Sequence, residues 1–233
     1  MTTQTLAEVY PPFGLRITCG DLVLRGITDD DLMPLVEVAR RGVHDRDEEH
    51  TPLGFDWPSA PPQYLAINYA KWAWGHRVNF SAKSWILALV VEHQGRVVGV
   101  QEGKGENFAA TRSVSTGSWL GQEFHGQGIG TAMRRVFCTF LVDHLDAVEV
   151  MSSAFTDNEA SQKVSTKVGY RELGRRRAFR GTRTGTDEVL FQLTPDTLVR
   201  PDEPLEVVGV EPLRRYLGLD GSAGGTTEVS PRQ

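Results

Sequence analysis

Apolar residues recur every three or four positions after Ile129, and this is the strongest helical pattern in the chain. A one-sided apolar stripe of this kind predicts an amphipathic helix that begins at Ile129 and packs against a core. The apolar positions of the stripe are Ala132, Met133, Val136, Phe137, Phe140, Leu141 and Leu145.

Weaker patterns predict three more helices. Pro34 fits the first of them only near its start, where a missing N–H costs nothing. Asp157 is expected to cap the third, and Gly169 to close it. The predicted helices begin near Asp30 or Asp31, run from about Gln63 to Arg77, and run from Asp157 to Gly169.

Alternating or continuous apolar runs predict strands between these helices. Only four residues, His93 to Arg96, separate two of the runs, so we expect an antiparallel hairpin there. A strand and a short helix are also compatible with the C-terminal run "LEVVGVEPLRRYLGLD". The predicted order is mixed α/β, with strands at about 15–17, 22–24, 84–93, 97–105, 115–121, 147–155, 170–174 and 188–193.

Length and composition are those of a globular protein. The chain has 233 residues, 39% apolar and 24% charged, which is enough to bury one good core. We therefore expect a flexible N-terminus over 1–12, a single domain over 13–219 and a disordered tail over 220–233.

Charge, apolar runs and cysteines narrow the functional classes. A net charge of −5 provides no overall attraction for nucleic acid or an anionic membrane. No apolar run reaches 18 residues and the N-terminus lacks a signal-peptide pattern, so a cytoplasmic location is expected. Cys19 and Cys138 lie far apart without a metal-ligand pattern, and we expect two buried thiols and no metal.

The turn Gly126-Gln127-Gly128-Ile129-Gly130 stands between a strand and the predicted long helix. Free backbone N–H groups and the positive end of a helix meet there, and glycine keeps side chains out of the way of an anion. A tight turn without a ligand is the alternative. A Walker loop needs Gly-Lys-Ser/Thr, and a dinucleotide fingerprint needs G-x-G-x-x-G in a parallel unit, so neither fits.

The turn, its helix and the later "DNEASQKVSTKVGY" together resemble the coenzyme A half of the GNAT superfamily of acyl-CoA-dependent N-acyltransferases. Gly128 and Gly130 match the last two positions of the loop that holds the pyrophosphate in that family. His125 departs from the family's usual Arg or Gln. Asn158 matches the asparagine that binds the pantetheine arm, and Ser165 stands where many members have a tyrosine near the sulfur.

The resemblance covers about residues 13–218 and is strongest with the branch that acylates N-terminal amines of ribosomal proteins and small amines. Within this branch, the members described as N-succinyltransferases are the most similar, because they share a pattern that is here Val43-His44-Asp45, Pro52-Leu53 and Trp57. It implies an α/β (α+β) GNAT fold with a mixed, mostly antiparallel sheet of about seven strands flanked by helices.

The resemblance also implies a reaction and its residues. Acetyl-CoA or succinyl-CoA would donate an acyl group directly to a primary amine, with the backbone N–H of Leu120 as oxyanion donor and Ser165 as candidate general acid. The general base is not identified, and a homodimer is left open. The candidate bases are Glu102, at the end of the central hairpin, and the charged residues of the loop that faces the acceptor in this fold, which are His44, Asp45, Asp47, Glu48, Glu49 and His50. Solvated charge is the alternative for the loop residues. The residues expected to bind coenzyme A are Trp119, Leu120, His125, Gly126, Gln127, Gly128, Ile129, Gly130, Thr131, Asn158 and Lys163.

Candidate acceptor residues come from two polar segments. His44 and Asp45 lie in the loop that faces the acceptor in this fold, and Arg175 and Arg177 lie in "GRRRAFRGTRTG", where arginines can pair with a carboxylate. Solvated charge is the alternative for both segments. The 3′-phosphate of coenzyme A would meet basic residues among Arg134, Arg135, Lys163 and Lys167.

Two other functional classes remain as alternatives. A non-catalytic acyl-CoA sensor would keep the same glycine turn and Asn158. A dinucleotide-dependent oxidoreductase is disfavoured by the glycine spacing and the strand order. The acceptor and the choice between acetyl and succinyl donors are not determined by the sequence.

Overall fold

A single nine-stranded sheet organises the residues described by the computed structural model, which are 4–44, 51–53, 57–59, 61–180 and 183–220. The strands are β1 (Arg16–Cys19), β2 (Leu22–Gly26), β3 (Ser84–His93), β4 (Arg96–Glu106), β5 (Ser113–Leu120), β6 (Glu149–Phe155), β7 (Arg171–Arg180), β8 (Arg183–Leu193) and β9 (Glu206–Val208). Their spatial order is β7-β8-β6-β5-β4-β3-β2-β1-β9. All neighbours are antiparallel except β5 and β6, which run parallel. The mixed, mostly antiparallel sheet is confirmed, with nine strands in place of about seven.

Helices cover both faces of this sheet. They are α1 (Leu6–Val9), α2 (Leu32–Arg41), α3 (Pro62–Val78), α4 (Phe108–Thr111), α5 (Ile129–Leu145), α6 (Glu159–Val168) and α7 (Val210–Tyr216). The apolar stripe of α5 lies in the larger buried cluster, with α6 beside it. Helices α2 and α3 pack together over a second buried cluster that includes Val90 and Val100 of the sheet. The four predicted helices are confirmed to within a few residues.

A capping box and an ion-pair cluster fix α2 on the sheet. The Asp31 carboxylate accepts hydrogen bonds from the backbone N–H and hydroxyl of Thr28, and Arg25 donates to both of its oxygens. Arg25 also pairs with Glu92 on β3, at 2.7 Å. Because a partly buried arginine holds both carboxylates, the start of α2 is tied to two neighbouring strands. The predicted hairpin is also present, since β3 and β4 pair along their length around Gln94 and Gly95.

The arginine-rich segment differs from its prediction. It was expected as a connection between two short strands, but β7 and β8 pair from Arg171 with Gln192 to Arg180 with Arg183. Extended backbone alternates its side chains between two faces, so many charged residues in a row are compatible with an edge strand. The expected cap of α6 also differs: Asn158, and not Asp157, accepts the backbone N–H of Ser161.

The two ends of the chain were predicted to lack structure. Residues 6–14 instead form α1 and a 3₁₀ turn in which Pro11 and Pro12 are buried, so the expectation of flexibility over 1–12 is wrong from residue 6. The predicted disordered tail lies outside the described residues from residue 221 onward. Both cysteines are buried free thiols, as predicted. In the described part of the chain, no helix is both long enough and apolar enough to cross a bilayer.

Candidate active site

A gap opens between the two parallel strands in the middle of the sheet. β5 pairs with β6 only from Ser113 to Ser115, although β5 continues to Leu120 beside β4. The backbone N–H of Gly121 donates to Val98 on β4. Since alternate residues of a strand present their N–H groups to opposite sides, the N–H groups of Ser118 and Leu120 point into the gap. The strand thus presents two donors where β6 has moved away.

The glycine turn closes one end of this gap. Gly126 and Gly128 have φ of +74° and +84°, which an L side chain adopts only with strain, and a Cβ at either would meet open space. Gly128 is the N-cap of α5, and the first turn of this 17-residue helix starts directly after it. A concave set of backbone N–H groups at the positive end of a long helix is a favourable anion site. Gly130 lies close to Leu120 and to Val164 of α6, so the turn is continuous with the gap.

The other residues of the turn support it in different ways. His125 is exposed, and its Nε2 is 3.1 Å from the carbonyl oxygen of Leu120. Gln127 donates to the carbonyl of Glu123, and the N–H of Thr131 donates to the carbonyl of Gly128. In the structure His125 and Gln127 therefore hold the loop backbone, and the N–H groups from Gly126 to Gly130 donate to no backbone carbonyl among the described residues.

Helix α6 forms the far wall of the gap. The Asn158 side chain caps the helix and its Nδ2 donates to the carbonyl of Pro52, at 3.3 Å. Ser165 is fully buried, and its hydroxyl donates to the carbonyl of Ser161, one turn earlier, at 3.0 Å. Lys163 is exposed and pairs with Glu159. The two residues predicted from the family motif thus lie on one wall, with their polar atoms already engaged by the protein.

A buried arginine crosses the floor of the gap. Arg134, on the second turn of α5, is only 6% exposed. Its Nη1 donates to Ser165 Oγ at 3.0 Å and its Nη2 donates to Ser118 Oγ at 3.1 Å, while Nε has no partner. No carboxylate among the described residues pairs with it. Arg134 was expected among the residues for an external 3′-phosphate, and its burial makes that expectation wrong.

The side of the sheet covered by α2 and α3 carries one carboxylate next to the gap. Glu102 on β4 pairs in register with Gly117 on β5, whose missing side chain leaves room in front of the carboxylate: Oε2 is 3.9 Å from where a Cβ would stand. Burial raises the pKa of Glu102 to about 7. A carboxyl with this pKa is half ionised near neutral pH, which suits proton transfer.

An aromatic cluster lies on the same face, and one of its members, Tyr69, interacts electrostatically with Glu102. Tyr69 of α3 packs against Trp57, Trp72 and Trp119, with ring centroids 4.8 to 6.3 Å apart, and Trp57 lies 5.3 Å from Trp119. Glu102 is half-buried beside this apolar cluster, and the partial loss of hydration raises its pKa. A carboxylate in this position can accept a proton from a group bound on this face of the sheet.

The predicted acceptor residues are spread over two places. His44 lies directly after α2, next to the buried Val43, and Asp45 lies outside the described residues. Arg175 and Arg177 are exposed on the edge strand β7, where Arg175 pairs with Glu172 and Arg177 folds over Gly185. The structure therefore does not gather the two arginines around Glu102.

A different arginine of this segment connects β7 to the loop before α3. Arg180 is buried, its Nη1 donates to both carboxylate oxygens of Asp157, and its Nε donates to the carbonyl of Thr51 at 2.6 Å. Its guanidinium also lies 4.3 Å from the Phe155 ring centroid. Since Asn158 holds the adjacent Pro52, residues 51 and 52 are fixed over the N-terminal end of α6.

The sequence did not predict the gap or the role of Arg134, and it left Glu102 as one of several candidate bases. The gap depends on where strand pairing stops, which no local pattern records. The raised pKa of Glu102 depends on burial, which is known only from the fold. Arg134 lies on the predicted helix next to the apolar position Met133. An arginine on the buried face of a predicted helix is unusual, and this was the sequence feature that could have marked Arg134 as functional.

Comparison with known proteins shows which sequences and folds this chain resembles. The sequence model described as "Acetyltransferase (GNAT) domain" matches residues 21–171, which include the sheet from β2 to β6 and helices α2 to α6. Among curated proteins, "Putative ribosomal N-acetyltransferase YdaF" from Bacillus subtilis (strain 168) is 35% identical over 66 residues. That match covers 28% of this chain and only 36% of the length of the relative.

Solved structures agree at the level of the fold. "Mycobacterium smegmatis RimJ in complex with CoA-disulfide" is 22% identical, covers 86% of this chain and 91% of its own, and has a TM-score of 0.66. "RimL- Ribosomal L7/L12 alpha-N-protein acetyltransferase in complex with Coenzyme A" is 18% identical, covers 76% of this chain and 96% of its own, and has a TM-score of 0.63. At these identities the likeness shows a shared fold.

Proposed function

Because the chain belongs to the acetyltransferase (GNAT) family, we propose that it is an acyl-CoA-dependent N-acyltransferase that modifies a primary amine by direct transfer. One observation carries the proposal: the anion-binding turn at Gly128 is continuous with a gap into which β5 points two N–H groups, beside the carboxylate of Glu102. An acyl-CoA carries a pyrophosphate at one end and a thioester at the other. It therefore requires an anion site, then a channel with hydrogen-bond donors, and then a base beside the thioester.

Backbone atoms hold the coenzyme in this proposal. The N–H groups from Gly126 to Gly130 surround the pyrophosphate at the start of α5, with Ile129 and Gln127 contributing main-chain atoms. The pantetheine arm then runs through the gap between β5, at Trp119 and Leu120, and α6. Asn158 contributes from the α6 wall. His125, Thr131 and Lys163 lie at the mouth of the gap. There the ring of His125 supports the loop backbone, and the ammonium group of Lys163 can pair with a phosphate of the coenzyme.

Glu102 removes the proton of the acceptor amine. An amine attacks a thioester only when it is neutral, and a carboxylate whose pKa burial raises to about 7 accepts its proton near neutral pH. The amine would enter on the face of the sheet covered by α2 and α3, along the wall of Tyr69 and Trp119. This assignment names a base where the sequence left it unidentified.

The oxyanion formed by the attack is held by the strand. The N–H of Leu120 points into the gap and does not pair with β6, so it can donate to the carbonyl oxygen as negative charge develops. Fixed donors of this kind are worth about 3–4 kcal/mol in other enzymes when one is removed. We keep Leu120 as the oxyanion donor on this ground.

The proposal also names an acyl donor and an acceptor amine, each with one alternative. Acetyl-CoA is the donor that the family description favours, and succinyl-CoA is the alternative. The names of YdaF, RimJ and RimL direct us to an N-terminal amine of a ribosomal protein as the acceptor, with a small amine second. Arg175 and Arg177 stay candidates for binding a carboxylate on the acceptor from the β7 edge, and His44 and Asp45 for contacting its backbone.

Release of free thiol tests this function directly. The purified protein is mixed with acetyl-CoA or succinyl-CoA and with peptides that copy ribosomal-protein N-termini, and the same peptides with blocked N-termini are the control. We expect turnover that requires both a donor and a free amine. Binding of the donor without turnover across a broad amine panel would favour the non-catalytic sensor, and absence of binding would reject both.

A further inference from the structure

The Arg134 cluster, which consists of Arg134, Ser118 and Ser165, contains a buried cation that no carboxylate of the described residues matches. The guanidinium is held by two hydroxyl oxygens, and its Nε donor has no partner in the part of the chain that the structure describes. Removing a cation from water without pairing it with an anion costs free energy that packing alone does not return. An arginine cannot lose its proton to relieve this cost. The cluster is therefore arranged for a negative charge that the described residues do not provide.

The position of the cluster in the gap indicates which part of a bound thioester would carry the negative charge. Ser118 belongs to the part of β5 that has parted from β6, and Ser165 follows Val164, which lies beside Gly130. The guanidinium therefore lies across the gap that leads inward from the glycine turn. A thioester that enters from the turn brings its sulfur towards this floor, whereas its acyl carbon faces the Leu120 N–H and the carboxylate of Glu102.

The hydroxyl of Ser165 is not poised to act as an acid. Its hydrogen is directed at the carbonyl of Ser161, and its oxygen accepts from Arg134. Protonating a departing sulfur would require Ser165 to give up the bond to Ser161 and to be left as an alkoxide. The permanent positive charge next to it can stabilise the leaving group without any proton transfer.

We propose that Arg134 stabilises the coenzyme A thiolate as it departs, with Ser118 and Ser165 fixing the guanidinium at the floor of the gap. This inference rests on the proposed function. Glu102 first takes a proton from the ammonium form of the acceptor and passes it to solvent. The neutral amine nitrogen then forms a bond to the acyl carbon, and the proton that this nitrogen must lose passes to Glu102. The carbon–sulfur bond then breaks, and its electron pair stays on sulfur as a thiolate opposite Arg134. The thiolate takes a proton from solvent after release, so the reaction needs no protein acid.

The ionisation of bound coenzyme A tests the proposal without any acceptor. A free thiol has a pKa of about 8.5, and a nearby cation lowers it. Ultraviolet absorbance of the thiolate, followed against pH in the complex of wild-type protein with coenzyme A, should give a thiol pKa at least about one unit lower. A thiol pKa in this complex equal to or above that of free coenzyme A overturns the proposal, and this result needs no variant.

Variants then assign the effect to one side chain. Arg134→Met, which suits a buried site, should return the thiol pKa to its free value and lower kcat by about 10²-fold with a small change in the KM for acetyl-CoA. Arg134→Lys should restore part of both. Ser165→Ala should keep the thiol pKa low, since the cation remains. Arg200→Met, which removes an exposed arginine paired with Asp143 on the same helix α5, is the control and should leave both unchanged.

The outcomes separate this inference from the proposed function. If coenzyme A binds and acyl transfer proceeds, but Arg134→Met leaves the bound thiol pKa unchanged, the inference is wrong and the function stands. If Arg134→Met impairs transfer from succinyl-CoA but not from acetyl-CoA, Arg134 recognises an acyl carboxylate and the thiolate assignment is wrong. If no form of coenzyme A binds to the folded protein, the proposed function itself fails.

Discussion

The two sides of the sheet around the gap present different chemical groups, with backbone N–H groups on one side and side chains on the other. On the α5 side, the proposed coenzyme site consists largely of backbone N–H groups, presented by a glycine turn, a helix start and a strand that has lost its neighbour. On the α3 side, the proposed acceptor site consists of side chains from separate elements, namely Glu102, Tyr69, Trp57 and Trp119. A backbone site requires a local conformation, whereas a side-chain site requires a particular set of neighbours.

This difference explains why the coenzyme is easier to infer than the acceptor. Every acyl-CoA presents the same pyrophosphate and pantetheine, so one backbone arrangement binds them all. Acceptor amines differ in size and charge, and only side chains can discriminate between them. Substitutions on either side should therefore separate coenzyme binding from acceptor binding.

Gly128→Glu should abolish coenzyme A binding. The position has a φ of +84°, and a carboxylate there would stand where the pyrophosphate is expected. We expect the calorimetric Kd for coenzyme A to rise by more than about 10²-fold, which corresponds to roughly 2.7 kcal/mol. Gly95→Glu is the matched control, because Gly95 has a φ of +74° and open space in a distant hairpin. Equal losses in both variants would show strain alone and would remove the basis for a backbone anion site.

Glu102→Gln should lower kcat by about 10²- to 10³-fold without loss of coenzyme binding. Because burial raises the pKa of Glu102 to about 7, the wild-type kcat/KM should rise with pH up to about 7 and then level off. The base is active when deprotonated, so activity is lost as pH falls through this value. Glu106→Gln, on the exposed end of the same strand, is the control. An unchanged pH profile in Glu102→Gln would place the base elsewhere.

Arg180→Lys should weaken the acceptor side alone. Lysine retains one contact with Asp157 but cannot also reach the Thr51 carbonyl, so residues 51 and 52 lose a support next to the site. We expect the acceptor KM to rise by about tenfold, roughly 1.4 kcal/mol, with little change in the Kd for coenzyme A. Arg200→Lys makes the same change in an exposed pair with Asp143. A larger effect on coenzyme A than on the acceptor would contradict the assignment of this region.

His125→Ala should have the smallest effect. Its ring holds the Leu120 carbonyl, so its removal loosens the loop without removing a donor to phosphate. The Kd for coenzyme A should rise by about threefold, within the range of one exposed hydrogen bond. A loss above about 10²-fold in the same titration would mean that the side chain, and not the backbone, carries the affinity.

The sequence predicted the helices and the hairpin because each leaves a local signal, whereas the mixed sheet was implied by the family resemblance. Ile129 starts an apolar stripe and Gly169 ends a helix, as found. The arginine-rich segment was misassigned, since exposed charge resembles a loop until the pairing of β7 with β8 is known. Arg134 and Glu102 were ambiguous because their roles depend on burial and on contacts from other elements. A local pattern can predict a turn, but it cannot predict what faces a side chain across the fold.

The most direct test of the central claim is a calorimetric titration of the wild-type protein with coenzyme A, acetyl-CoA, succinyl-CoA and NADH. We expect the coenzyme A species to bind at one site per chain with a Kd in the micromolar range, about −8 kcal/mol, and NADH not to bind. If no coenzyme A species binds to the folded protein, or if NADH binds in their place, the glycine turn is not a pyrophosphate site and the proposed function is wrong.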